Sequence, residues 1–138
     1  MPGVALSLSC EVAPEIREYE RASTTIANAY VRPLMDRYLG GLEAGLRAIG
    51  IAGPLLLMMS SGGVTTVETA RRFPVRLVES GPAGGAILAQ HIAAENGLDR
   101  AVAFDMGGTT AKLTLLDGLE LQRSRQFEVA RAYRFIAG

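Results

Sequence analysis

Apolar residues recur at helical spacing through the first third of the chain. Between Glu15 and Ile49 they are separated mostly by three, four or seven residues, which predicts an amphipathic helix with Pro14 as its first residue. Pro33 lies inside this segment and has no backbone N–H to donate, so we expect a kink or two separate helices. Ahead of the helix, apolar and small residues alternate over residues 4–8 and predict a short strand.

The middle of the chain carries short apolar runs separated by glycine, serine and proline. Residues 55–59 are all apolar, which is typical of a strand buried on both faces. Ser-Ser-Gly-Gly follows directly at residues 60–63. A short helix is expected over residues 67–72, where Pro74 ends it, and another short strand over residues 75–78.

A helix rich in small residues is predicted next. Ser80 or Gly81 is its expected N-cap, and Asn96-Gly97 supplies its C-terminal cap. Its expected buried face consists of Ile87, Leu88 and Ile92. The small first turn suits two roles, which are attraction of an anion to the helix N-terminus and tight packing against a neighbouring helix, and the sequence allows both.

The most informative stretch is a strand, a turn and a second strand. Residues 101–104 form a short apolar run that predicts a buried strand, and residues 113–116 are expected to pair with it as a hairpin. Asp117-Gly118 is a second hairpin signal, and further strands are expected over residues 119–123 and 127–130.

The turn between the first two of these strands has the residue types of a phosphate site. It consists of Gly107, Gly108, Thr109 and Thr110. Two successive glycines let the backbone approach a ligand closely, and successive N–H groups form a concave anion site to which threonine hydroxyls add donors. Asp105, at the mouth of the turn, can hold a hydrated magnesium ion that neutralises phosphate charge. Spacing alone equally allows an ordinary hairpin turn without a ligand.

Composition limits the classes of function. A chain of 138 residues has room for one domain at most, and 49% apolar against 20% charged residues suits a buried core. The 14 basic and 14 acidic side chains cancel, so we expect no nucleic-acid binding and no membrane-surface binding. Cys10 is the single cysteine, which excludes an internal disulfide and indicates a reducing, cytoplasmic compartment. We also expect no secretory leader, no membrane span and no zinc site.

The stretch from Asp105 to Thr110, Asp-Met-Gly-Gly-Thr-Thr, resembles a phosphate-binding loop of the actin-like ATPase superfamily. Over nearly its whole length the chain is more similar still to the hydantoinase A / 5-oxoprolinase family. Four further segments carry this resemblance in the order that the family uses. They are residues 7–21, 24–30, 60–63 and 79–85.

The resemblance implies a partial actin-like ATPase (ribonuclease H-like) α/β fold. Residues 1–78 would be the end of the first lobe, residues 79–100 the helix that crosses between lobes, and residues 101–138 the start of the second lobe with its phosphate-loop hairpin. The family's first phosphate loop and its adenine-contacting region have no counterpart in this sequence. We therefore expect a fragment of a longer enzyme, inactive alone.

The function implied by the resemblance is hydrolysis of a cyclic amide, with ring opening coupled to ATP cleavage. ATP and Mg²⁺ would be the cofactors, and a second, hydantoinase B-type subunit or domain would be the partner. The alternatives are a 5-oxoprolinase or a ketone carboxylase subunit of the same family, and a non-catalytic truncated fragment in which the turn is only structural.

Residue roles follow from matching the family's loop to this sequence. Asp105 and Thr109 are the expected catalytic residues, and Asp105 is also the expected metal ligand. The expected contacts to the nucleotide are Gly62, Gly81, Gly107, Gly108, Thr109, Thr110 and Lys112. Many relatives carry aspartate at the position of Lys112, so a metal-binding role is not expected there, whereas a direct contact to phosphate is.

Overall fold

A computed structural model describes residues 4–108 and 110–121 in full, and residues 126–129 and 133–136 by their backbones. In chain order its elements are α1 (Ser9–Val12), α2 (Glu18–Ala48), β1 (Leu56–Met58), β2 (Val64–Thr66), α3 (Val67–Arg72), a 3-10 helix (Pro74–Leu77), α4 (Ser80–Glu95), β3 (Arg100–Met106), β4 (Ala111–Asp117), β5 (Gln126–Val129) and β6 (Tyr133–Ile136). Within the described residues the strands form antiparallel pairs, β1 with β2, β3 with β4 and β5 with β6. This mixture of helices and strands is an α/β arrangement.

Helix α2 is the longest element and carries most of the packing. It continues through Pro33 as one helix of 31 residues, so the expectation of two separate helices is wrong. Two small clusters of buried apolar side chains lie along it. The first consists of Val12, Ala13 and Val75, and the second of Leu39, Val67 and Ala70. Segments before and after α2 therefore bury their apolar side chains against the same helix.

A buried amide on α2 joins three segments that have no sheet partner. Asn28 is fully buried, and its Nδ2 donates to the Ser7 hydroxyl and to the carbonyl of Arg72, each at 3.1 Å. Its Oδ1 accepts the backbone N–H of Val75 at 3.3 Å. Both sides of the amide are thus satisfied inside the core, where an unpaired polar group would be costly.

Two predicted strands are wrong because side chains satisfy their backbones instead. Residues 4–8 form no strand, and the Leu6 carbonyl accepts a hydrogen bond from the Arg32 guanidinium at 2.6 Å. Residues 75–78 were expected to be extended, but Pro74 begins a 3-10 helix, a first-turn position that suits its fixed φ. Asn28 binds the Val75 N–H that a strand would have offered to a partner.

The strand expected to be buried on both faces is buried on one. Leu55 and Leu57 pack against the second apolar cluster, whereas Leu56 is 52% exposed. Successive side chains of a strand point to opposite faces, and β1 pairs only with β2. Helices α2 and α3 therefore cover the face of Leu55 and Leu57, whereas on the opposite face Leu56 is exposed and Met58 lies near Gly84 of α4.

The last third of the chain agrees with the sequence in part. Strand β5 overlaps the strand expected over residues 127–130, and the strand expected over 119–123 lies partly outside the described residues. In its described part, Leu119 has a left-handed φ of 60° and belongs to a turn closed by a bridge between Asp117 and Glu120. Strand β6 lies beyond the strands that the sequence pattern predicts.

An ion-pair network on the surface joins α2 to α3. The Nε of Arg71 lies 2.5 Å from the Asp36 carboxylate, and its Nη1 lies 3.9 Å from that of Glu43. The hydrogen bond from Arg71 lowers the pKa of Asp36 below its ordinary value of 3.8, and partial desolvation opposes this. The ion pair therefore favours the folded state only while Asp36 is ionised.

Replacing the buried amide tests whether it organises the core. Asn28→Ala should lower the free energy of unfolding by about 1–3 kcal/mol, because buried backbone groups lose their partners. Urea denaturation followed by circular dichroism measures the loss. The matched control is Asn96→Ala, which removes an exposed amide bonded to the Ile92 carbonyl and should cost about 0.5 kcal/mol or less. Equal losses would contradict the role assigned to Asn28.

The Arg71–Asp36 pair should also appear in the acid stability of the chain. Because folding lowers the pKa of Asp36, its contribution is present above pH 3.8 and is lost as the pH falls through the lower folded value. In Asp36→Asn, the urea midpoint of unfolding should fall less steeply as the pH is lowered below 3.8. Asp99→Asn, which removes an exposed carboxylate with no described ion-pair partner, is the control. An unchanged slope in Asp36→Asn would show that the pair does not contribute.

Candidate functional site

The predicted hairpin forms and holds the glycine-rich turn at its tip. Strands β3 and β4 pair in a register that places Asp105 opposite Lys112 and Met106 opposite Ala111. The four residues 107–110 connect them, and the Gly107 N–H donates to the carbonyl of Thr110 at 3.0 Å. Thr109 lies outside the described residues. Gly107, Gly108 and Thr110 are exposed.

The two faces of the hairpin differ in what covers them. One face lies toward α4 and carries Ala101, Ala103, Asp105, Lys112, Thr114 and Leu116, of which Leu116 is buried. The other face is apolar and exposed. It consists of Val102, Phe104, Met106, Leu113 and Leu115, which are 61–72% exposed. The expectation of a buried strand over residues 101–104 is therefore wrong for this outer face, since α4 covers only the inner one.

An ion pair connects the hairpin to the start of α4. The Nζ of Lys112 binds the Glu79 carboxylate, and both side chains are partly exposed. Glu79 is the N-cap of α4 in place of the expected Ser80 or Gly81. Its backbone is left-handed, with φ 68° and ψ 17°, a conformation that costs a non-glycine residue about 1–2 kcal/mol. Strain of this kind persists where the surroundings hold it, frequently at functional sites.

Sequence reasoning assigned no role to Glu79. Its one local signal is its position as an acidic residue directly before a helix of small residues. Its side chain makes no hydrogen bond to the helix it precedes, because the carboxylate is engaged by Lys112. The amide groups of the first turn of α4 are therefore left without a side-chain cap.

The small first turn of α4 packs against a strand. A Cβ built on Gly84 would contact the side chain of Met58 in β1 at 3.6 Å, whereas one built on Gly81 would meet no atom within 4 Å. The expected neighbouring helix is thus wrong as the packing partner, and the space at Gly81 is open. The expected buried face is also wrong in part, since Ala86 and Ala93 are buried while Leu88 and Ile92 are exposed.

The Ser-Ser-Gly-Gly loop contacts α4 further along the helix. Gly62 has φ +86°, and a Cβ there would lie 2.8 Å from the Cδ1 of Ile87. The loop is closed by hydrogen bonds from the Gly62 N–H to Met59 and from the Ser60 hydroxyl to the Arg76 carbonyl, each at 2.9 Å. Backbone conformation and close packing account for the glycine at 62, and its contact with a nucleotide stays a prediction.

Some of the predicted site residues come together and some do not. The ion pair brings the hairpin rung of Asp105 and Lys112 beside the N-terminus of α4, where Gly81 lies. Gly62 instead packs against Ile87, about two helical turns further on. The structure therefore places the turn and the helix N-terminus at one end of the hairpin, and the Ser-Ser-Gly-Gly loop along the flank of α4.

The residues present suit a hydrated magnesium ion better than a metal cage. Asp105 is exposed, and its carboxylate makes no hydrogen bond or ion pair with the described residues. No group of three or more His, Cys, Asp or Glu side chains gathers in the part of the chain that the structure describes. Mg²⁺ usually keeps several waters and takes one or two carboxylates together with phosphate oxygens. A single free carboxylate beside a glycine-rich turn is compatible with that requirement.

The described helices include none that is long and apolar enough to cross a membrane.

Comparison with known proteins gives both sequence and structural matches. The hydantoinase/oxoprolinase family model matches residues 21–135. An uncharacterized protein of Methanocaldococcus jannaschii is 38% identical over 94% of this chain and 20% of its own length. The alpha subunit of caprolactamase from Pseudomonas jessenii is 34% identical over 95% of this chain and 19% of its own length.

A solved structure of acetone carboxylase shares the fold. It matches 94% of this chain with a TM-score of 0.78 at 24% identity, and the match covers 18% of the acetone carboxylase chain. The chain thus spans about a fifth of the length of each of these proteins.

The contact between the Ser-Ser-Gly-Gly loop and α4 can be tested directly. Gly62→Ala should lower the free energy of unfolding by about 1–2 kcal/mol for its left-handed φ, with a further loss from the contact with Ile87. Ile87→Val removes the Cδ1 atom and should cost less in the Gly62→Ala background than in the wild type. Thermal unfolding of the wild type, the two single variants and the double variant measures the cost of the left-handed φ and the cost of the contact with Ile87.

The control for this substitution is Gly53→Ala. Gly53 does not have a left-handed φ, and a Cβ there would meet no atom within 4 Å, so the chain should be unchanged or slightly stabilised. If Gly53→Ala and Gly62→Ala destabilise equally, the close approach at Gly62 does not explain the glycine.

Proposed function

The chain belongs to the hydantoinase/oxoprolinase family, and from this premise we propose that it holds the phosphates of ATP in an ATP-dependent cyclic-amide hydrolase. The observation that carries the proposal is that Asp105 lies opposite Lys112 in the hairpin, close to the N-terminus of α4. The ion pair between Lys112 and Glu79 joins these two parts of the structure. Two features that favour phosphate, a glycine-rich turn and a helix N-terminus without a side-chain cap, lie at one end of the hairpin.

The proposed fold is part of an actin-like ATPase. Residues 1–78 end its first lobe, residues 79–100 form the crossing helix, and residues 101–138 begin the second lobe. Support comes from the contacts of α4, which touches β1 through Gly84 and Met58 and also packs on β3. A helix that lies against both strand pairs is what such a crossing segment requires.

The phosphates are bound by the turn and the helix together. Backbone N–H groups of Gly107 and Gly108 and the hydroxyls of Thr109 and Thr110 would donate to phosphate oxygens. The positive end of the α4 dipole adds to this attraction, and the open space at Gly81 leaves room for a ligand. Gly62 would act from further along α4, by holding the helix against its loop.

Asp105 would hold a hydrated magnesium ion at the mouth of the turn. ATP with Mg²⁺ would supply the phosphoryl group that activates the otherwise unreactive ring carbonyl. This chain would contribute three groups: Asp105 would orient the ion and its waters, Thr109 would donate to the phosphate that is transferred, and Lys112 lies one rung from the turn. Fixed donors of this kind stabilise charge where it develops in the transition state.

The substrate is proposed to be a small cyclic amide such as a hydantoin, 5-oxoproline or a lactam. Support comes from the family description and from the relative named caprolactamase. That relative is named as an alpha subunit, which supports a second, hydantoinase B-type subunit or domain as the partner. A cytoplasmic location, where ATP and Mg²⁺ are abundant, completes the proposal.

Carboxylation of a ketone is the alternative chemistry for the same phosphate clamp, and a truncated fragment without activity is the alternative of a different class. A substrate assay on the complete enzyme distinguishes the cyclic-amide hydrolase from the ketone carboxylase. Release of phosphate that depends on a cyclic amide supports the hydrolase, and release that depends on a ketone with bicarbonate supports the carboxylase.

Binding of Mg²⁺–ATP, measured by calorimetry on this chain and on the full-length parent enzyme, tests the clamp itself. Asp105→Asn should raise the Kd at least about tenfold, a loss of about 1.4 kcal/mol, because the carboxylate that holds the ion is neutralised. Asp99→Asn is the matched control, since it removes an exposed carboxylate at the other end of β3. Equal affinities for the wild type and Asp105→Asn would contradict the proposal, as would binding that is indifferent to Mg²⁺.

A further inference from the structure

Three charged side chains meet where the hairpin touches α4. Asp105 and Lys112 occupy directly opposite positions on neighbouring strands and lie on the same face of the hairpin. Opposite charges in such a cross-strand pair attract one another and ordinarily form an ion pair. Here Lys112 is instead bound by Glu79, which comes from outside the hairpin. Asp105 keeps no ion-pair partner among the described residues.

We infer that Glu79 is a positioning residue that withholds Lys112 from Asp105, so that the Asp105 carboxylate stays available to a divalent cation. This inference rests on the role of Asp105 in the proposed function and adds the residue that makes that role possible. A carboxylate already paired with an ammonium a few ångströms away attracts a cation much less, because the two charges nearly cancel.

Glu79 is well placed to compete for the lysine. It lies at the N-terminus of α4, and its carboxylate makes no capping hydrogen bond to that helix. Its left-handed backbone turns the chain from the 3-10 helix into α4 at this point. Lys112 has a flexible four-carbon stem, so it would turn to the neighbouring aspartate if the glutamate lost its charge.

The first test measures whether Lys112 is withheld, and it needs no metal. Asp105→Asn and Lys112→Met are combined in a double-mutant cycle, once in the wild type and once in Glu79→Gln. The coupling should be less than about 1.5-fold in the unfolding equilibrium constant in the wild type and about two- to fivefold in Glu79→Gln, where the cross-strand pair can form. Equal coupling in both backgrounds would overturn the inference.

A matched background excludes a general effect of losing an ion pair from the hairpin. Asp117→Asn breaks the pair between Arg100 and Asp117 at the opposite end of the same strands, where the atoms lie 3.1 Å apart. The Asp105–Lys112 coupling should stay at its wild-type value in this background. A rise equal to that in Glu79→Gln would mean that Glu79 has no specific role.

The second test uses Mn²⁺ alone as the probe and follows its binding by electron paramagnetic resonance. Glu79→Gln should weaken binding about fivefold, and adding Lys112→Met to it should restore most of the loss, because no cation is then left to neutralise Asp105. If the ion pair were only structural, the double variant would bind no better than Glu79→Gln.

The two tests separate failure of this inference from failure of the proposed function. If the wild type binds no Mn²⁺ but the coupling appears only in Glu79→Gln, the inferred control of Lys112 holds while the metal site fails. If Mn²⁺ binding depends on Asp105 but no coupling appears in Glu79→Gln, the metal site holds and the role of Glu79 is wrong.

Discussion

The structure depends on a single requirement, that backbone groups buried without a sheet partner must still be hydrogen-bonded. The Asn28 amide meets it for the end of α3 and for the 3-10 helix, and its bond to the Ser7 hydroxyl ties the segment before α1 to the same residue. Because all three segments are tied to one residue of α2, their apolar side chains fall on the same helix and form the core. The segment that leads into α4 is thereby fixed, and the start of α4 is where the candidate site lies.

From that point the site is assembled by short contacts along α4. Met58 meets Gly84, and Ile87 meets Gly62, so small residues on one partner receive larger side chains from the other. At the start of the helix, Lys112 reaches from the hairpin to Glu79. This ion pair joins the helix N-terminus to the strand that follows the turn. The catalytic proposal therefore depends on packing that is remote from any phosphate.

The sequence predicted the elements whose signals are local. Two short apolar runs around Gly-Gly-Thr-Thr predicted the hairpin, and the short helix expected over residues 67–72, with Pro74 ending it, matches α3. What it missed depends on partners distant in the chain. Asn28 forms hydrogen bonds with Ser7 and Arg72, which lie 21 and 44 positions away in the sequence. Lys112 forms an ion pair with Glu79, at the start of α4. A polar residue in a helical pattern carries no sign of such a partner, and an apolar run does not reveal how many of its faces will be covered.

The outer face of the β3–β4 hairpin has a practical consequence for anyone handling this chain. Five large apolar side chains stand side by side in water, on strands whose edges are also unpaired with the other described strands. Surfaces of this kind promote aggregation. Salts such as sulfate strengthen the association of apolar surfaces because they are excluded from the protein surface. Dilute, low-sulfate buffers are therefore the rational starting point for purification, and light scattering is the appropriate check before any binding curve is interpreted.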